Sequence, residues 1–447
     1  MTLMDIPEVR YATSSGDVRI AYEVVGRGEV DVVFALGLIP NLEMSREVSF
    51  LRRWLERLTS FARVVHYDRR GVGVSDRDLS MGSPEEQMDD IRAVMDAAGL
   101  ERAALVTSID GGPIALTFAA TYPDRVQSLV LYESWARVAW KADYPIGLKD
   151  PERGLSGHAR THWGDGTTIQ QVIGDSWDPA ATRRLLAKLE RTIASPKFVY
   201  KHFELAQKVD VRAALPSVQA PALVLARRDL ARYLPLSEWL ADSLQVPLVS
   251  VAGQWLHSWR DDYEDAVLDL IQDFLVHEPG KVTMSQRVLQ TLIFTDIVGS
   301  TKRAMSLGDA EWRNLLARHD ALVRSQIARY HGREIKHTGD GLLASFDGPA
   351  RAVRCAHSIQ ETLSTIGIDV RAGIHTGECE VRGDDVAGIA VHIAARVCAL
   401  AGAGEVLATS TVRDLVVGSG LEFEDRGTRT LKGIDTPWPI VAALSET

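Results

Sequence analysis

The sequence predicts two domains of different class. An α/β domain with a parallel sheet covered by helices on both faces occupies residues 1–276, and a smaller α+β domain occupies residues 287–447. Three observations lead there. A chain of 447 residues is longer than one hydrophobic core usually organises. Continuous apolar runs alternate with amphipathic helical stretches through the first part, the pattern of strands buried on both faces. A polar stretch over 277–286, opening His277-Glu278-Pro279-Gly280-Lys281, then reads as a linker, and a different order of elements begins.

In the first domain, apolar strands are expected at 32–36, 62–67, 103–106, 128–132 and 222–226. Helices are expected at 84–98 and 113–122, with a closing helix at 263–276. The segment from about 133 to 215 breaks this rhythm. It is helical in pattern, contains Trp135, Trp140, Trp163 and Trp177, and suits a cap over the sheet. After the linker an apolar strand at 288–294 opens a run of strand, helix, hairpin, helix, hairpin, helix.

Composition narrows the function classes. Hydrophobic residues make up 46% and charged residues 25%, ordinary values for a soluble globular protein. The net charge of −10 and the lack of a long basic run disfavour nucleic-acid binding. Cys355, Cys379 and Cys398 are scattered, which argues against a disulfide framework or a zinc site and fits a reducing cytoplasm. Residues 1–10 lack the basic head and apolar stretch of a signal peptide, and no apolar run approaches the roughly 20 residues of a membrane span. A cytoplasmic location is the expectation.

Four stretches of the second domain carry potential chemistry. Phe294-Thr295-Asp296-Ile297-Val298-Gly299-Ser300-Thr301 sets an aspartate at the end of a buried strand, before a small-residue turn into a helix whose first N–H groups could hold phosphate. Alone, Asp296 reads as an ordinary acidic strand end. Lys336-His337-Thr338-Gly339-Asp340-Gly341 lies between two strand-like runs, and its Asp-Gly step signals a hairpin. Asp340 is then either a turn residue or a partner of Asp296 in holding a divalent cation, since magnesium favours a few hard carboxylate oxygens plus substrate phosphates. Asp385 to Arg396 reads as a loop entering a helix, and His392 and Arg396, four apart, share a face of it. Leu431-Lys432-Gly433-Ile434 reads as a strand-like tail bearing a lysine.

In order, residue type and spacing these stretches resemble the class III adenylate and guanylate cyclase catalytic domain, from about Arg287 to Ala443. The resemblance implies a ferredoxin-like α+β fold and specific roles. Asp296 and Asp340 match the metal-binding aspartates, and Ile297 lies where backbone touches metal or phosphate. Lys336 and Asp385 match the pair that reads the adenine edge, Lys432 the lysine for the terminal phosphates, and Arg396 the arginine that meets charge at the transferring phosphorus. His392 stands where the best-known members have asparagine, which puts rate in doubt more than reaction type. The resemblance further implies two Mg²⁺ or Mn²⁺ ions per site, ATP as substrate and a homodimer with composite sites at its interface. A carboxylate and an ammonium complement the amino donor and ring-nitrogen acceptor of adenine, which favours ATP over GTP; a guanylate cyclase is the alternative.

The first domain resembles the α/β-hydrolases through Asp68-Arg69-Arg70-Gly71-Val72-Gly73-Val74-Ser75, and through Gly111-Gly112-Pro113 with Ala119 to Val126. The serine elbow of that fold reads G-x-S-x-G on a strained strand-to-helix turn. Aligned on Gly111-Gly112, Ile109 falls at the nucleophile and Leu230 in the acid slot, whereas His257 matches the family histidine. A shifted register would put Asp110 at the apex instead. A lone histidine cannot run acyl transfer, because the triad acts as a unit. The expectation is a catalytically degenerate domain that regulates or senses, with room for a small apolar ligand; an esterase with a regulatory cyclase-like domain is the competing reading.

Overall fold

The computed structural model describes residues 7–445 apart from 36, 39–40, 78–80, 150–154, 174–178, 229–231, 252–260, 278–286, 338–340, 383–384 and 435. The chain divides into two compact units, Met1–Met284 and Ser285–Thr447.

The N-terminal unit runs β1 (Arg10–Thr13), β2 (Arg19–Val25), β3 (Val30–Ala35), α1 (Ser49–Phe61), β4 (Ala62–Tyr67), α2 (Pro84–Ala97), β5 (Ala103–Ser108), α3 (Gly112–Thr121) and β6 (Val126–Tyr132). Helices α4 (Leu155–His162), α5 (Thr167–Ile173), α6 (Pro179–Ile193) and α7 (Pro196–Ala206) follow. The unit ends with β7 (Ala222–Arg227), α8 (Leu234–Leu244), β8 (Leu248–Val251) and α9 (Asp261–His277). His277, expected in the linker, is thus the last residue of a helix.

The strands form one sheet in the order β1-β2-β4-β3-β5-β6-β7-β8. From β4 to β8 all neighbours are parallel, but β1 and β2 pair antiparallel at one edge. The sequence reading missed this edge because β1 is exposed at all but one position and carries no continuous apolar run. Helices α1 and α9 cover one face, where Trp54, Leu58, Leu268 and Ile271 meet Val32, Phe34, Val64, Val106 and Leu225. Each such buried side chain contributes roughly 1.5–3 kcal/mol. The cap helices seat Ile169, Leu186, Leu189, Ile193 and Phe198 on Leu38, Met44, Leu51 and Val72, next to the loops that leave β3 and β4.

The C-terminal unit runs β9 (Arg287–Ile297), α10 (Ser300–Leu307), α11 (Asp309–Arg329), β10 (Arg333–His337), β11 (Leu342–Phe346), α12 (Pro349–Ser364), β12 (Val370–Arg382), β13 (Asp385–Ala387) and α13 (Ile389–Leu400). It closes with β14 (Val406–Thr409), α14 (Ser410–Leu415), β15 (Phe423–Thr430) and β16 (Pro437–Ala443). The sheet order is β10-β11-β9-β12-β14-β16-β15, with β13 paired to β12. Alternation along β9 sorts its side chains. Ile293 and Ile297 join Val323, Val353 and Ile359 of α11 and α12, whereas Leu292 and Phe294 face Ala390 and Ala394 of α13.

Two local expectations are corrected. Leu431-Lys432-Gly433-Ile434 is the turn between β15 and β16, not a strand, and Gly433 holds φ 81°, which ends regular pairing there. Asp385 opens the short strand β13, so the loop expected before α13 is partly a hairpin. No helix among the described residues is long and apolar enough to cross a membrane. The three cysteines are free and buried, and burial pushes their thiols up to about 12.

Candidate functional site

In the C-terminal unit Asp296 is the penultimate residue of β9, in register with Arg371 of β12. The Arg371 Nε–H donates to Asp296 Oδ2 at 2.8 Å, and a second guanidinium N–H reaches the same oxygen. Both side chains are about one-third exposed, at 32% and 31%. Sequence reasoning missed Arg371, because no motif marks it and only strand register brings it to Asp296. The side chain of Ile297 is buried on the opposite face, so only its backbone is available toward the Asp296 side. Val298 N–H is committed to Asp369 O at 2.9 Å, and Gly299 at φ 69° turns the chain into α10.

Lys336 pairs with Leu343 of β11, which pairs with Phe294 of β9. Paired residues share a face, so Lys336 lies on the Asp296 face, two strands away and roughly 10 Å to the side. Strand β10 packs against β13, which Asp385 opens, so the two residues expected to read the base start from neighbouring strands. Asp340 lies outside the described residues. Among the described residues, no three His, Cys, Asp or Glu side chains gather to hold a metal ion. Asp296 nonetheless suits a hard cation, since its carboxylate already draws a positive group into place.

Helix α13 covers this face. Ile393, Ala394, Val397 and Cys398 are buried beneath it, while His392 and Arg396 are exposed one turn apart. Ile389 and Leu400, also exposed, flank them, so the outer surface of α13 is partly apolar. The helix sits close because β12 carries Gly373 at the crossing, where a Cβ would lie 2.0 Å from the Cys398 backbone nitrogen. Lys432 is exposed in its turn. Beneath α13, His375 is held by Thr409 at 2.8 Å, and burial pushes its imidazole down to about 3, so it is neutral at ordinary pH.

In the N-terminal unit β5, a tight turn and α3 form a strand-turn-helix elbow. Strand β5 ends at Ser108, Ile109 takes φ 52°, and α3 starts at Gly112. The left-handed conformation is costly for a β-branched residue and marks the apex of the turn. The positive φ falls on Ile109 and not on Asp110. Ile109 packs against a cluster that includes Trp135, Val138, Tyr144 and Leu236. Asp110 turns away into a polar trio that sequence reasoning did not foresee. It accepts from Arg69 Nη1 and bonds His202 Nε2, both at 2.8 Å, and accepts from Leu38 N–H at 3.1 Å. Burial alone would raise its carboxyl, but the Arg69 charge and the His202 contact outweigh burial and hold it well below the usual range. At the ends of β6 and β7, buried Glu133 and Arg227 form an ion pair. Leu230 and His257 lie outside the described residues.

Comparison with known proteins agrees with this division. The family described as "alpha/beta hydrolase fold" matches residues 33–158, and that described as "Adenylate and Guanylate cyclase catalytic domain" matches residues 282–440. "Putative adenylate cyclase 3" of Rhizobium meliloti is 30% identical over 162 residues, 34% of this chain and 27% of that protein. The chain therefore spans about a quarter of the length of that relative. "Putative carbamate hydrolase RutD" of a Caulobacter strain is 44% identical over 235 residues, 50% of this chain and 84% of that protein. The crystal structure of the adenylyl cyclase CyaB from P. aeruginosa is 21% identical with a TM-score of 0.35, covering 37% of this chain and 97% of that one.

Fold and matches together define a fusion of a hydrolase-type domain with a nucleotide cyclase domain. The chain belongs to the α/β-hydrolase family in its N-terminal part and carries a class III adenylate/guanylate cyclase catalytic domain in its C-terminal part.

Proposed function

We propose that the chain is a homodimeric adenylate cyclase that converts ATP to 3′,5′-cyclic AMP and pyrophosphate, with its N-terminal domain regulatory and not hydrolytic. The observation that carries this reading is the shared face of the C-terminal sheet. Asp296 stands there with the Arg371 guanidinium beside it, Lys336 lies on the same face, Asp385 starts from a strand packed against that of Lys336, and His392 and Arg396 lie on the outer surface of the helix that covers this face.

Asp296 and Asp340 would hold Mg²⁺ or Mn²⁺, two per site, with the Ile297 carbonyl as the only group of that residue open to the task. When bound, such ions lower the pKa of the ribose 3′-hydroxyl and hold the triphosphate. The remaining work falls to the side chains of the chain itself. Lys336 and Asp385 orient adenine through donor and acceptor on its edge. Arg396 meets the charge that grows on the phosphoryl oxygens at the α-phosphorus, and His392 donates a hydrogen bond to ribose or phosphate. Lys432, exposed at a turn, can reach out to the terminal phosphates. The lateral gap between Asp296 and Lys336, with the apolar rim of Ile389 and Leu400 around His392 and Arg396, supports a site completed by a second copy.

The test is direct. Pure protein is incubated with ATP or GTP and Mn²⁺ or Mg²⁺, and in parallel with a chromogenic short-chain ester. Cyclic AMP that disappears in Asp296→Ala supports the proposal; ester turnover with no cyclic nucleotide overturns it. Lys336→Glu combined with Asp385→Cys should lower ATP use relative to GTP, and an unchanged ratio would refute the base-reading assignment.

A further inference from the structure

The N-terminal domain holds a carboxylate cradle that the cyclase reading leaves unused. In a hydrolase elbow the oxyanion is met by two backbone N–H groups, that of the residue after the apex and one from the loop that follows β3. Here the apex is Ile109, the next residue is Asp110, and the loop donor is Leu38. That loop donor is already engaged, because Leu38 N–H donates to Asp110 Oδ1. The other carboxylate oxygen, Oδ2, meets Arg69 Nη1 from the loop after β4 and His202 Nε2 from cap helix α7. Arg69 is braced in turn by Gln87 of α2. The carboxylate also sits hard against the loop, since a Cβ on Gly37 would lie 2.1 Å from Oδ1. Glycine at that position is what lets the loop close on it. His202 is buried, and Arg69 and Asp110 are only 11% and 14% exposed, so water supplies the smaller part of the neutralisation.

We propose that the former oxyanion pocket is a carboxylate-binding site whose ligand is the protein's own Asp110, and that this internal ligand ties the cap helix to the core. The donor set is the one a small carboxylate needs: a backbone N–H on one oxygen, and a guanidinium and an imidazole on the other. It follows that no ester oxyanion finds the Leu38 donor free, independently of the lost nucleophile. It also follows that shortening Asp110 opens a site of defined size and charge. Alanine at 110 retains the Cβ, and the missing part is one carboxylate group, the size of formate.

The experiment measures thermal unfolding of the full chain carrying Asp110→Ala, in sodium formate and in sodium chloride at equal ionic strength. The expected result is a melting temperature several degrees below wild type in chloride, restored by more than half in formate. Acetate should restore less and propionate nothing, because each added carbon exceeds the vacated volume further. Wild type and Asp110→Asn, in which the volume remains filled, should respond equally to formate and chloride. Should Asp110→Ala prove insoluble in chloride, recovery of folded protein with formate present throughout purification is the expected outcome, and failure in both salts counts against the proposal. Equal stability of Asp110→Ala in the two salts overturns it, as does an equal formate effect on wild type. The readout is stability, so it stands apart from cyclase activity.

Discussion

Arg371 and Asp296 face each other across β12 and β9, and a divalent cation that takes the Asp296 carboxylate competes with the guanidinium bound to its Oδ2. The size of that competition follows from exposure. With both side chains about one-third exposed, at 32% and 31%, the pair belongs with weak surface bridges, worth at most about 1 kcal/mol. The further contact of Arg371 Nη1 with Ala399 O is long, at 3.5 Å, and adds little. Arg371→Gln removes the competing charge and keeps a polar side chain of similar reach. A gain of 1 kcal/mol corresponds to about five-fold tighter binding. The nucleotide-free variant should therefore bind Mn²⁺ about five-fold more tightly than wild type, followed by the electron paramagnetic resonance signal of free Mn²⁺. The melting temperature should change little, because an exposed pair contributes little to folding. Asp296→Asn is the control and should lose the binding. Affinity for Mn²⁺ in Arg371→Gln that is equal to or weaker than wild type would refute the reasoning.

Further predictions concern the two cores. Asp68 is fully buried, and burial raises its carboxyl to about 6 despite backbone N–H bonds from Val74 and Leu42. A carboxyl raised in the folded state contributes stability below its unfolded value of about 3.9 and loses it as pH climbs through 6. Asp68→Asn should therefore gain on wild type by up to about 3 kcal/mol between pH 4 and 7 in urea melts, and a pH-independent difference would contradict this. Arg227→Met takes the guanidinium away from the buried Glu133 charge and should cost about 3–5 kcal/mol, while Arg227→Met with Glu133→Gln costs clearly less in a double-mutant cycle. Gly373→Ala forces α13 away from β12 and should cost about 1–3 kcal/mol in stability. Because Arg396 and His392 ride on that helix, its cyclic nucleotide kcat should fall as well; normal kcat would detach α13 from the chemistry.

How much was legible in the chain differed by element. The buried strands β3 to β7 and helices α2, α3 and α9 followed from apolar runs, because a strand buried on both faces has no choice of composition. The edge strand β1 and the short strand β8 were missed, since half-exposed edges carry a weaker pattern, and the mostly buried β2 was missed with its partner. Lys432 was read into a strand when it occupies a turn, because one lysine between apolar neighbours looks alike in both. In the C-terminal domain Asp296 and Lys336 stood out one by one, but the face of the sheet that strand register makes them share did not.

By itself the sequence determined the two fold classes and the absence of a nucleophilic atom at position 109. These are properties of residue type and local order, which the chain states directly. Only the tertiary structure decided that Arg371 meets Asp296, that Ile297 offers backbone alone, and that Asp110 closes the elbow with Arg69 and His202. The physical reason is the same in each case. Strand register and cap docking bring together residues that are 75, 41 and 92 positions apart, and no spacing along the chain encodes such contacts.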